Sequence, residues 1–300
     1  MAKSHLIRSI QDLSGRLASD FEVRIEPTEA LLCPPTYFDV IDVKNPHMKG
    51  NIGRVNSERA ERQWQQVREA IVKTKTMIRI LEPEEGLEDM VFTANPTLPG
   101  LGKNGEKICL LSNMTHPSRK KEVGAHEKWF AKRGYKIARL SKAQWRFEGQ
   151  GDALWHPKRR LIWGGYGFRT VPEAYEEIGT LFSCPVVLLH LKLESLYHLD
   201  TCFSPLSETD ALFYPKAFDE NGVELIRALY PRAMEVPEEE AIGGFACNPL
   251  VIGKNVLIQK GNRKTNAVLE KLGYEPIELD TSEYMKSGGS VFCMKMMVYS

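Results

Sequence analysis

The chain has 300 residues, of which 42% are hydrophobic and 26% charged, and its net charge is +1. That apolar content is enough to bury a large core, in one large domain or two smaller ones. The near-neutral balance argues against nucleic acid or anionic membrane as a partner, and no apolar run approaches the roughly 20 residues that cross a bilayer.

Leu6, Ile7, Ile10, Leu13, Leu17 and Phe21 recur at helical spacing and predict a surface-packed first helix within a lead-in over residues 1–25. The stretch lacks a secretory apolar core, and Asp12 and Asp20 argue against a transit peptide. Ala30–Cys33 predicts a strand. Ser57–Lys73 predicts a helix with Ser57 as its cap and Ala60, Trp64, Val67 and Ile71 on one face. Met77–Leu81 and Met90–Thr93 predict strands. A strand over Lys107–Leu111, a helix over Glu122–Arg133 and a strand over Tyr135–Leu140 come next. Ala153–Trp155 and Leu161–Trp163 form a predicted hairpin around Pro157–Arg159, followed by a helix over Pro172–Leu181 and a strand over Val186–Leu191.

The second half repeats the theme. Tyr197–Phe203 and Ala211–Tyr214 predict strands, and Asn221–Leu229 a helix. Pro249–Ile252 and Val256–Gln259 precede a helix over Asn262–Leu272, a strand over Glu275–Leu279 and a last strand over Val291–Val298. With no linker or composition break, these units of two strands, a helix and a strand predict one α/β domain over residues 1–300, built from weakly similar modules. The charge runs Arg119–Lys121 and Glu238–Glu240 are expected to be solvated faces.

Six cysteines stand at 33, 109, 184, 202, 247 and 293, with no CxxC pair and no histidine at zinc-ligand spacing. A cytoplasmic chain without a disulfide framework and with mostly buried thiols is the expectation. No phosphate loop, metal triad or dinucleotide fingerprint occurs, so no metal or cofactor is implied.

Three distant segments carry chemistry: Phe147–Asp152, Tyr197–Thr201 and Gly288–Cys293. They hold a candidate nucleophile, Cys293, a candidate proton shuttle, His198, and the carboxylates Glu148, Asp152 and Asp200. Residues two apart in a strand share a face, so His198, Asp200 and Cys202 are expected to point one way. Cys293 is expected opposite the apolar face of Phe292, Met294, Met296 and Val298, after a Gly288-Gly289 loop that admits a ligand close to the backbone. Several carboxylates beside a thiol suit a cationic substrate such as a guanidinium.

These segments, with Pro83–Asn95 and the late Gly-Gly-x-x-x-Cys, resemble the guanidino-group modifying enzymes over about Leu32–Met296. That superfamily includes arginine deiminase, dimethylarginine dimethylaminohydrolase, the amidinotransferases and the arginine dihydrolases. The resemblance implies a pentein, an α/β propeller of five ββαβ modules with pseudo-fivefold symmetry. Asn45 in Lys44–Met48 and Arg169 in Gly164–Arg169 are similar to motifs of the cyanobacterial arginine dihydrolases.

The implied roles are attack on the guanidino carbon by Cys293 and proton transfer by His198. Glu148 would orient that histidine or grip the guanidinium, Asp200 would grip it too, and Asn45 and Arg169 would bind a substrate carboxylate. Asn95 stands where deiminases and dimethylargininases usually carry an aspartate, with Asp89 or Asp152 as the alternative holder of the positive charge. An amide both donates and accepts, so it tolerates a neutral ureido group that a carboxylate repels. The resemblance therefore implies two-step hydrolysis of arginine to ornithine, carbon dioxide and ammonia. Single hydrolysis by a deiminase or dimethylargininase, amidino transfer and a silent guanidine-binding pentein are the alternatives. The implied partner is a small guanidino compound, with oligomeric state, a homo-oligomer included, left open.

Overall fold

The computed structural model describes residues 5–300. Short strands rich in buried apolar residues form five small sheets among these residues. Each sheet repeats one connection: two strands pair antiparallel, a helix follows, and a third strand returns parallel to the second. Thr97–Leu101 and Lys107–Leu111 pair in this way, followed by helix Pro117–Lys132 and strand Lys136–Ala138. Ala153–Trp155, Ile162–Tyr166, helix Ala174–Phe182 and Val186–His190 form the next unit. Phe203–Pro205, Asp210–Phe213, helix Glu220–Leu229 and Arg232–Glu235 form another. Leu250–Ile252, Asn255–Gln259, helix Arg263–Lys271 and Glu275–Leu279 follow.

The remaining unit joins the two ends of the chain. The late strand Lys295–Val298 pairs antiparallel with Glu29–Leu32, which leads through helix Ser57–Lys73 to the parallel strand Met77–Ile80. Five ββαβ units are thus present, as the sequence led one to expect. Helices pack an apolar stripe on the sheets; Ser57–Lys73 buries Ala60, Trp64, Val67 and Ile71, the predicted face. Its cap is Asn56, whose side chain accepts from the Arg59 amide, one residue before the predicted Ser57.

Several expectations are corrected. The predicted helix over Leu6–Phe21 is instead a two-residue strand, Leu6–Ile7, beside Val186–Val187, then a short helix Ile10–Leu13 and a 3-10 turn Ala18–Asp20. Ser14 and Gly15 take φ values of 51° and 76°, which ends the helix after one turn. Residues 1–4 of the predicted lead-in lie outside the described residues.

Met90–Thr93 is a turn, not a strand; the Phe92 amide donates to Asp89, and the Ala94 amide to the Cys293 carbonyl. Tyr197–Phe203 is not a strand either: Leu199–Thr201 is a 3-10 turn and extended pairing begins at Phe203. The last strand starts at Lys295, leaving Cys293 on a turn closed by Met294 to Val291 and Lys295 to Phe292. The charge runs are only partly solvated, because Arg119 and Glu240 are buried.

Among the described residues no helix is long and apolar enough to cross a membrane.

Candidate functional site

The non-strand connections carry the chemistry. A narrow cavity of about 20 Å³ is lined by residues from the loops around Lys44, Asp89, His198 and Gly288, together with Arg119, Arg169 and Cys293.

His198 immediately precedes the Leu199–Thr201 turn, whose closure uses the Thr201 amide and hydroxyl on the His198 carbonyl. Its Nε2 lies 2.7 Å from Glu148 Oε2. A carboxylate only accepts, so Nε2 carries the proton and Nδ1 is left as the second functional atom. Glu148 is fully buried and also accepts from the Thr115 amide at 2.8 Å and from Arg169 Nη1 at 3.3 Å. Burial alone would raise its pKa, but the His198 and Arg169 contacts overcome that and hold it well below the usual carboxylate range.

Asn95 completes this group. Its Oδ1 accepts from Arg119 Nη1 at 3.0 Å, and its Nδ2 faces His198 Nδ1 at 3.4 Å. Guanidinium groups only donate, so Arg119 fixes the amide with its oxygen away from the histidine. Arg119 is itself buried against Glu122, with Nη2 at 3.0 Å. Gly151 admits the approach: a Cβ there would lie 2.4 Å from Asn95 Nδ2 and 3.2 Å from the His198 ring.

Cys293 Sγ donates to Asp200 Oδ2 at 3.1 Å and lies 3.4 Å from Asn248 Oδ1. Asn248 also donates to the Asp200 carbonyl at 2.8 Å and accepts from the Ser290 amide, so one buried side chain ties the nucleophile loop to the histidine loop. Burial, then Asp200, push the Cys293 thiol well above its ordinary range. Burial likewise pushes Asp200 up to about 7, opposed by Cys293 and Lys295. Asp200 Oδ1 has no hydrogen-bond partner among the described residues. The site therefore sets a neutral thiol on a proton-hungry carboxylate, an arrangement that a neighbouring cation would ionise.

The predicted residues separate by position. Cys293, His198, Asn95, Asn45 and Arg169 line the cavity. Glu148 and Asp200 sit one layer back, touching His198 and Cys293 respectively. Asn45 offers no free donor, because its amide nitrogen holds Tyr197 and the Ser287 carbonyl, and its oxygen takes the His47 amide. It thereby ties the Gly288 loop, where φ of 85° favours glycine. Arg169 lies over the Tyr197 ring and donates to the Lys44 carbonyl at 2.7 Å.

Asp152, expected to touch substrate, is corrected: it is fully buried outside the cavity lining, accepting from Thr170 at 2.7 Å and from the Leu199 amide at 3.1 Å. Its job is to hold the turn that presents His198. Cys202 lies outside the cavity lining, its thiol facing the His198 and Leu199 carbonyls in the core.

Sequence reasoning missed Arg119, Lys44 and Asn248, and weighed Asp89 only as an alternative. Asp89 lines the cavity, accepts from Ser287 at 3.2 Å and lies 3.1 Å from Lys44 Nζ. Despite its burial, Asp89, Asp42 and Glu88 hold Lys44 above its ordinary range.

With this geometry in place, comparisons with known proteins are informative. A model of the family described as N,N dimethylarginine dimethylhydrolase, eukaryotic, matches residues 39–300. The bifunctional arginine dihydrolase/ornithine cyclodeaminase AgrE of Nostoc sp. is 36% identical over 89% of this chain, which spans 37% of that relative. The N(G),N(G)-dimethylarginine dimethylaminohydrolase of Mycobacterium tuberculosis is 33% identical, over 89% of this chain and 85% of its own. The N-terminal domain of ArgZ, a cyanobacterial arginine dihydrolase solved as a cysteine-to-serine variant bound to substrate, superposes with a TM-score of 0.86 at 34% identity. That match covers 91% of this chain and 98% of the ArgZ domain. The fold is the pentein α/β propeller.

Proposed function

We propose that this chain, which belongs to the dimethylarginine dimethylaminohydrolase family, hydrolyses the guanidino group of L-arginine twice, giving ornithine, carbon dioxide and two ammonia. Asn95 is the observation that carries the reading: Arg119 takes its oxygen, so the amide presents a donor toward His198. A donor at that point fits a neutral ureido oxygen, the group a second hydrolysis must bind.

In this scheme the thiol proton passes to His198 Nδ1, Cys293 reacts as thiolate beside the guanidinium, and Asp200 directly behind the sulfur adds its negative charge. The sulfur bonds to the guanidino carbon, and one C–N bond breaks with its nitrogen leaving as ammonia, protonated through His198 Nδ1. Water, giving its proton to the same nitrogen, attacks the thio-intermediate and releases a citrulline-like product. A second round loses the other terminal nitrogen and leaves a carbamate, which decomposes to carbon dioxide and ornithine. Glu148 keeps His198 in the useful tautomer and offsets its positive form. Arg169, at the cavity wall, supplies a planar donor pair for the amino-acid carboxylate.

The likeness to the arginine-hydrolysing relatives supports this substrate, and the family match keeps dimethylarginine as the second reading. The described residues, 5–300, form one pentein domain in this account, and six unpaired cysteines suit a reducing cytoplasm. The test is incubation with L-arginine, citrulline or dimethylarginine, with products identified by mass spectrometry. Ornithine from arginine and from citrulline is expected. Arrest at citrulline would leave a deiminase, and dimethylamine release with inertness toward arginine would leave a dimethylargininase.

A further inference from the structure

A second cavity, of about 120 Å³, shares no lining residue with the first. Its walls carry the apolar side chains of Leu154, Trp155 and Phe292, and its polar groups are Lys295, Gln150 and Arg24, with Glu26 at the edge. Lys295 is only 1% exposed, and among the described residues its amine makes no hydrogen bond or ion pair, lying instead over the Phe292 ring. A buried ammonium without a counter-ion is costly, and proteins seldom keep one without use. The Gln150 side chain, 7% exposed, is likewise without a hydrogen bond among the described residues. Arg24 donates to Tyr299 and Glu26 and leaves its buried Nε unpartnered. Two buried donor groups, Lys295 and Gln150, thus line one cavity with no hydrogen-bond acceptor among the described residues.

We propose that this cavity binds a small organic monocarboxylate, its oxygens taken by Lys295 and Gln150 and its apolar body set against Trp155 and Phe292. The charge balance selects the class. Glu26 already offsets Arg24, and Asp200, which acts on Lys295 without bonding it, has Cys293 as its own partner, so a monoanion would give the amine its direct counter-ion. The apolar walls favour a carbon skeleton over a bare inorganic anion. Burial pushes the Lys295 amine down to about 7, against the pull of Asp200 and Cys293, and an anion at hydrogen-bond distance would support its charge.

The test uses the full chain labelled with 5-fluorotryptophan, the Trp155 resonance being assigned through Trp155→Phe. Isovalerate is titrated as the probe, with isovaleramide as its neutral counterpart and inorganic phosphate as the alternative anion. A saturable shift of the Trp155 signal is expected with isovalerate alone. Its Kd should rise at least about tenfold in Lys295→Met, the effect of one buried charge contact, and stay near the parent value in Lys295→Arg. Gln150→Leu should weaken binding in the same direction and serves if Lys295→Met does not fold. No saturable shift, equal affinity in Lys295→Met and Gln150→Leu, or a response to phosphate in place of isovalerate would overturn the proposal. Binding is read without turnover, so the outcome is independent of the reaction assigned to Cys293.

Discussion

Replacing Asn95 by aspartate separates the two hydrolytic steps. In the parent protein Asn95 Oδ1 is taken by Arg119 at 3.0 Å and the amide nitrogen faces His198 Nδ1 at 3.4 Å. Aspartate keeps the Arg119 contact and turns a second oxygen toward the cavity, where a donor had been. A cationic guanidinium accepts that exchange. A neutral ureido oxygen then meets an acceptor, losing one hydrogen bond and leaving a buried acceptor unpaired. Such a loss costs about 1–3 kcal/mol, or roughly 5- to 150-fold in rate at 1.4 kcal/mol per decade. The change also removes the amide donor facing His198 Nδ1, a loss common to both steps. The expected result is that kcat/KM for citrulline falls at least about fivefold further than for arginine, and that citrulline accumulates when arginine is supplied. Ammonia release from each substrate, with citrulline and ornithine quantified, is the assay. Equal losses on the two substrates would refute the reasoning.

Further outcomes follow from the same geometry. Cys293→Ser keeps a donor for Asp200 Oδ2 and should unfold within a few degrees of the parent while turnover drops to background; retained activity would move the nucleophile elsewhere. His198→Ala should lose at least about a hundredfold in rate, and a loss under tenfold would mean that another group carries the proton. Asp200→Asn should stabilise the protein as pH rises. The raised carboxyl contributes fully below its ordinary value near 4 and loses that contribution through about 7, so the variant's Tm advantage grows over that window, toward an upper bound of ~4 kcal/mol. A Tm difference that stays flat from pH 4 to 8 would contradict the assignment.

The modular fold was legible because its buried strands form apolar runs and its helices show amphipathic spacing, as in Ser57–Lys73. The site was legible where chemistry left its residue types in short motifs: Cys293, His198, Glu148 and Asn95 all meet around one cavity or directly behind it. What failed was local geometry set from afar. His198–Cys202 alternates like a strand, yet Asp152 accepts from the Leu199 amide and bends the segment into a turn. Arg119 sits in a basic run that looks solvated, but Glu122 one helical turn away and Asn95 on another loop bury it. Asn248 has no sequence signature, because its partners Asp200, Ser290 and Cys293 are joined only by the tertiary fold.

The claim beneath all of this is a covalent bond between Cys293 and the guanidino carbon. Its most direct test is to react a slowed variant, His198→Gln, with arginine labelled by carbon-13 at the guanidino carbon, quench with acid and map the peptides by mass spectrometry. The account predicts the label on the peptide containing Cys293, and none on that peptide in the double variant with Cys293→Ser. A label on Cys202, or turnover that proceeds with no labelled peptide, would contradict it.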